Sequence, residues 1–312
     1  MKTKTRHQVE SPTAVRHIGG VLQLLCKALE SQWRRYRKRL RQCQLRFSQE
    51  AVHDSRVEAR RLLATVELLC AFIPERELKK ARRALKKHLD AFDRLRDTQV
   101  QLTYVGHLLH EFSAATGFHD WLRKREKRFI RETQKAVRKI KTRRLGGKLA
   151  EFEGALQGRK KDLTSRQAFA KAERAVQLAF AQVAKLCRRV NARDTETIHR
   201  TRIAFKRFRY MVDALSPMLP AVTDQHRQAM RGYQSMMGDI QDVEVMLSAL
   251  DKSTRQEQKK SSPEVDRLRA ELSQRRELLI HVYLHAAGKL RKFWPPGTPP
   301  KSRRALEARR KA

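Results

Sequence analysis

Two stretches of this chain carry basic side chains at matching intervals. His53 and Arg56 are followed by Arg60 and Arg61, and 146 positions later His199 and Arg202 are followed by Lys206 and Arg207. Arginine presents a planar charged fork to phosphate or carboxylate oxygens, and lysine presents a mobile point charge. Histidine adds a contact that strengthens on protonation near neutral pH. Residues of these types at this spacing suit the capture of a polyanion. The register holds without a gap to Pro74 and Pro220, which points to duplication of one structural unit.

Helices must position these groups. Val52, Ala59, Leu62, Leu63, Val66, Leu69, Cys70 and Ile73 recur at helical intervals, as do Ile198, Phe205, Phe208, Val212, Leu215 and Leu219. At about 100° per residue, His53, Arg56 and Arg60 share one sector beside the apolar stripe. His199, Arg202, Lys206 and Arg209 form the matching sector. Both sets border a core and are placed to line a groove, while Arg61 and Arg207 point further round.

The chain has 71 Lys plus Arg against 33 Asp plus Glu, a formal net charge of +38. That excess favours nucleic acid, anionic membrane surfaces or phosphate polymers without fixing a fold. Hydrophobic residues make up 40% of the 312 residues and lie in periodic segments, enough for two core-bearing units. No apolar run approaches the roughly 18 residues of a membrane span. The four cysteines, Cys26, Cys43, Cys70 and Cys187, show no metal-type spacing, so a reducing cytoplasm is the expected compartment.

The expected fold class is all-α. Helices are predicted over Val15 to Phe47, Val52 to Ile73, Glu75 to Leu95, Thr98 to Ala115 and His119 to Leu145. They resume over Ser165 to Val190, Thr195 to Leu215, Thr223 to Met237, Asp242 to Lys259 and Pro263 to Phe293. Residues 15–145 and 164–293 are read as two helical bundles, after a flexible basic N-terminus over 1–14. Gly146, Gly147, Gly154 and Gly158 mark residues 146–163 as a basic linker. Residues 294–312, proline-rich and then basic, read as a disordered tail or as a second contact to the same polyanion. The segment around Asp97 aligns with that around Asp242 at an offset of 145, and both acids fall between predicted helices, where an N-cap carboxylate would sit.

Enzyme signatures are sparse. His53-Asp54 resembles a metal-dependent phosphohydrolase dipeptide, but Arg200 replaces the acid in the second copy and no companion set is evident, so no metal site or cofactor is expected. Glu75, Glu77 and Lys79 follow Pro74 at a helix start, where acids complement the positive end. A phosphate-cradling Gly-x-x-x-x-Gly-Lys loop is absent from the sequence. RNA or DNA is the main rival partner, since charge alone does not separate it from polyphosphate. Aromatics are only 6% of the residues and fall mainly on apolar stripes, which argues against base stacking. Tyr210 is the best candidate for an exposed ring, and it reads as a groove-rim residue.

These motifs resemble the conserved histidine α-helical domain, the CHAD family. The resemblance rests on the two basic helices and on a later Leu-Gly-Asp-like segment, read here as Met236-Met237-Gly238-Asp239-Ile240-Gln241-Asp242. The first half departs from that segment, with Phe92-Asp93 where the glycine would be. The resemblance implies two antiparallel helical bundles related by a pseudo-twofold axis, with basic residues lining a central groove or pore. It also implies non-enzymatic binding of inorganic polyphosphate, in some relatives at polyphosphate granules. It assigns phosphate contact to His53, Arg56, Arg60, Arg61, His199, Arg202, Lys206 and Arg207, with Arg96 as a weaker addition. Arg83, Lys86 and Lys87, with Arg227 and Arg231, sit on the following helices, either as an opposite wall or as solvated surface charge.

Overall fold

The computed structural model describes residues 20–256 and 262–294. Among them the chain is helical, with no strand. Its helices are α1 (Gly20–Leu45), α2 (Gln49–Leu68), α3 (Glu75–Leu108), α4 (Ser113–Arg138), α5 (Arg143–Asp162), α6 (Ser165–Cys187), α7 (Thr195–Leu215), α8 (Asp224–Gln256) and α9 (Pro263–Ala286). The expected all-α class is what the structure has.

The two helices that carry the basic motifs start alike. At α2 the Ser48 side chain accepts from the Ala51 amide at 3.1 Å, and at α7 the Asp194 side chain accepts from the Glu196 amide at 3.1 Å. Each cap satisfies an amide that the first turn leaves without a helical partner, and Glu50 and Glu196 complement the positive end. Both helices close in a short 3-10 turn, Leu69–Ala71 and Ser216–Met218, shortly before Pro74 and Pro220.

Packing crosses between the halves. The helices α1 and α6 touch, as do α2 and α7, α3 and α8, and α4 and α9. One continuous core runs from Leu25 and Leu29 of α1 through Leu62 and Val66 of α2 to Phe205, Phe208 and Val212 of α7. A second core joins Val105 of α3, Phe118 and Leu122 of α4, Met246 of α8 and Leu268 of α9. Direct contact of α2 with α7 brings the two basic sectors together.

Three expectations need correction. Residues 143–162, read as a linker from 146, form α5, which buries Leu145, Leu149, Phe152 and Leu156. Four glycines among basic residues mask that 4-3-4 apolar spacing. Gly146 serves packing, because a Cβ there would lie 3.0 Å from the Trp33 ring, so its absence lets α5 approach α1. Second, the predicted breaks before Thr98 and Asp242 do not exist: α3 and α8 run straight through, and Asp97 and Asp242 are helix-interior residues, not caps. The first break has no glycine or proline, and the single Gly238 of the second is carried inside α8 without ending it. Third, Trp294, read as the start of the tail, packs against Phe180 and Phe208 at ring-centroid distances of 6.5 and 5.8 Å. The N-terminal segment 1–14 and the tail beyond Trp294 lie outside the described residues.

Candidate polyanion-binding cleft

Where α2 crosses α7, a cavity of about 670 Å³ opens, walled also by α3 and α6. Arg60 of α2, Lys86 of α3, and Arg202, Lys206 and Arg207 of α7 line it. These residues lie far apart in sequence, yet the helix pairing places like charges within one another's fields. Lys206 is the clearest sign of this. Burial, reinforced by Arg60, Arg202 and Arg56, lowers its pKa from the ordinary 10.5 to about 7. Burial and then Arg56 depress Arg60 as well. The cleft is therefore short of negative charge.

The acids nearby do not balance it. Arg56, buried, donates from Nη1 to Asp93 Oδ1 at 2.9 Å, the pairing that holds this cation without a ligand. Arg202 is differently placed. Its Nε is buried with no hydrogen-bond partner among the described residues, and beside it Gly238 of α8 leaves its guanidinium 3.6 Å from where a Cβ would stand. In the sequence register, Gly238 corresponds to Asp93 and Arg202 to Arg56. One half thus supplies a carboxylate to its arginine at a position where the other supplies only space. Asp97 and Asp242 flank the cluster, each with a raised pKa caused first by burial. Arg207 pairs with Glu67 of α2 at 2.5 Å on the cleft wall itself, tying the two helices together.

The histidines stand apart from this cleft. His53 is exposed in a second cavity of about 510 Å³, lined also by Arg56, Arg96 and Gln99. Arg56 borders this cavity while acting electrostatically on Arg60 and Lys206. His199 is half-buried with Nδ1 lacking a hydrogen-bond partner among the described residues.

Other expected contacts lie elsewhere. Arg61 does not line the cleft, and it donates to Glu58 at 2.7 Å. Arg209, placed by the helical wheel beside Arg202, is buried instead. Its fork is held by Asp213 at 2.9 Å and Gln234 at 3.0 Å, with its guanidinium 4.2 Å from the Tyr210 ring centroid. Its angle on α7 is close to the apolar stripe, and a carboxylate one turn on captures it. Arg83 and Lys87 are exposed on α3 outside the lining, Arg227 pairs with Asp224 and Ser216, and Arg231 is exposed on α8. Of the following-helix cations expected from the sequence, only Lys86 reaches the cleft wall.

Sequence reasoning missed Arg82, Asp90, Asp93 and Glu67, all in the cleft lining. For Asp93 a signal existed, since it stands where the sequence alignment with the second half has Gly238. Tyr210 lines the cleft, half-buried and covered by Arg209, so its ring is engaged as a wall. Among the described residues no group of three His, Cys, Asp or Glu side chains is placed to hold a metal ion, and no helix is long and apolar enough to cross a membrane.

The CHAD domain family model matches residues 23–251, and the chain belongs to that family. Two solved structures share the fold. PptA from Streptomyces chartreusis superposes with a TM-score of 0.65 at 14% identity, covering 88% of this chain and 100% of its own. The CHAD domain from the plant Ricinus communis gives a TM-score of 0.62 at 18% identity, covering 90% of this chain and 98% of its own. No curated protein is matched by the sequence.

Proposed function

From its membership of the CHAD family, we propose that this chain binds inorganic polyphosphate, without hydrolysing it, in the cleft between α2 and α7. The observation that carries the reading is Arg202, whose buried Nε has no partner while Arg60 and Lys206 stand beside it with depressed pKa values. Asp97, Asp239 and Asp242 act on Arg202 at a distance without supplying an acceptor to its Nε, and a ligand that brings dense negative charge relieves the cost of a buried donor left unmet. A phosphate chain offers acceptor oxygens on every unit, so one polymer can meet Arg60, Arg202 and Lys206 together. On this reading His53, Arg56 and Arg96 hold the chain where it passes into the second cavity. Binding to polyphosphate granules follows if long chains are the partner.

Competition tests the reading. Labelled long-chain polyphosphate is titrated onto the protein at near-physiological salt and challenged with RNA, double-stranded DNA and free phosphate. Polyphosphate displaces the label at the lowest phosphate concentration if the reading holds. Equal displacement by RNA makes the protein a general polyanion binder and sets this reading aside.

A further inference from the structure

On α9, far in sequence from the basic motifs, His281 and His285 stand one turn apart and both are exposed. Their Nε2 atoms approach to 2.8 Å, with ring centroids 4.2 Å apart and planes inclined at 73°. Two imidazoles at i and i+4 project from one helix face, and here their Nε2 atoms already stand within chelating distance of each other. Neither ring is drawn on by the polyanion cleft, whose lining contains no α9 residue.

We propose that His281 and His285 form a two-nitrogen chelate for a divalent transition-metal ion of the copper or nickel type. Metal–imidazole bonds are about 2.0–2.1 Å. A right angle at the metal then sets the nitrogens roughly 2.9 Å apart, and a tetrahedral angle roughly 3.3 Å. The observed separation matches the right angle, the geometry of tetragonal copper(II) and octahedral nickel(II), more closely than the tetrahedral angle of zinc. Copper(II) also stands highest in the order of divalent-ion affinities for nitrogen ligands. Water completes the coordination. The ion loses part of its water shell, the histidines give up their mutual hydrogen bond, and the Nε2 proton that made it passes through solvent to Nδ1 of the same ring, so both ligate as neutral imidazoles.

The test uses the full chain without polyphosphate, which itself chelates divalent ions. Copper(II) is titrated onto the wild type and onto His281→Ala, His285→Ala and His107→Ala, with circular dichroism confirming helicity in each. The proposal expects one site per chain whose electron paramagnetic resonance spectrum shows coupling to two nitrogens. That site is lost in His281→Ala and in His285→Ala and kept in His107→Ala, and zinc(II) binds there more weakly. Copper binding and its two-nitrogen spectrum unchanged in both His281→Ala and His285→Ala would overturn it. So would the absence of any saturable copper site in the wild type.

Discussion

Arg56 reaches from α2 to Asp93 of α3 at 2.9 Å, and the two form a pair that is buried on the arginine side and half-open on the carboxylate side. Asp93 also draws on the charges of Arg60 and Lys206. It is a negative group set inside a cluster of cations, and the sequence alignment at an offset of 145 sets it against Gly238, beside Arg202. The two halves therefore balance charge unequally: Arg56 has a carboxylate within hydrogen-bond distance, whereas the Nε of Arg202 has no acceptor among the described residues.

Asp93→Asn separates those roles. Removing the carboxylate leaves Arg56, Arg60 and Lys206 uncompensated, so the melting temperature of the free protein falls. Polyphosphate binding tightens by about tenfold, because a like-charged obstacle is gone and the Arg56 fork is released. Gly238→Asp acts in the opposite sense, supplying Arg202 with an internal partner and weakening binding. Calorimetric titration and thermal melts of both variants check these outcomes.

Lys206 links the cleft to pH. Its folded pKa of about 7 lies below its ordinary 10.5, so between those values the unfolded chain holds a proton that the folded chain has lost. Its contribution is unfavourable below pH 7 and is relieved as pH rises from 7 towards 10.5. Wild type is accordingly less stable relative to Lys206→Met at pH 6 than at pH 9. A bound phosphate favours the ammonium, so binding at pH 8 takes up a proton and affinity declines as pH climbs above 7. Titrations in buffers of different ionisation enthalpy report that uptake, which Lys206→Met removes.

Arg209 sits outside this chemistry. Arg209→Ala removes the fork that holds Asp213, the contact to Gln234 and the stack on Tyr210. The loss expected is about 2 kcal/mol of stability, limited by Arg227, Arg231 and Arg61 nearby. Polyphosphate affinity at a temperature where the variant is folded changes by less than about twofold. Denaturant unfolding alongside titration distinguishes the two effects.

Much of this was legible in the sequence because helical periodicity is a local signal. The apolar stripes of α2 and α7 and the matching sectors that hold Arg60 on one and Arg202 and Lys206 on the other all follow from spacing. Other features depend on packing between distant segments. Nothing local marks Gly146 as the place where α5 meets Trp33, so its helix read as a linker. Asp97 and Asp242 looked like caps because acids between two apolar runs do so, but α3 and α8 simply continue through them. Arg209 shares a wheel sector with Arg202, and only the rotamer that meets Asp213 tells them apart. Which cations face one another depended on α2 packing on α7.

The most direct test of the central claim is a polyphosphate titration of two double variants, Arg56→Met with Arg60→Met and Arg202→Met with Lys206→Met, each shown by circular dichroism to keep its helicity. Charged contacts to phosphate contribute about 1.5–3 kcal/mol each. A polymer held between both walls predicts a loss of at least about tenfold in each double variant, with the larger loss where Arg202 is removed. Binding by either variant at wild-type affinity would contradict a site between α2 and α7.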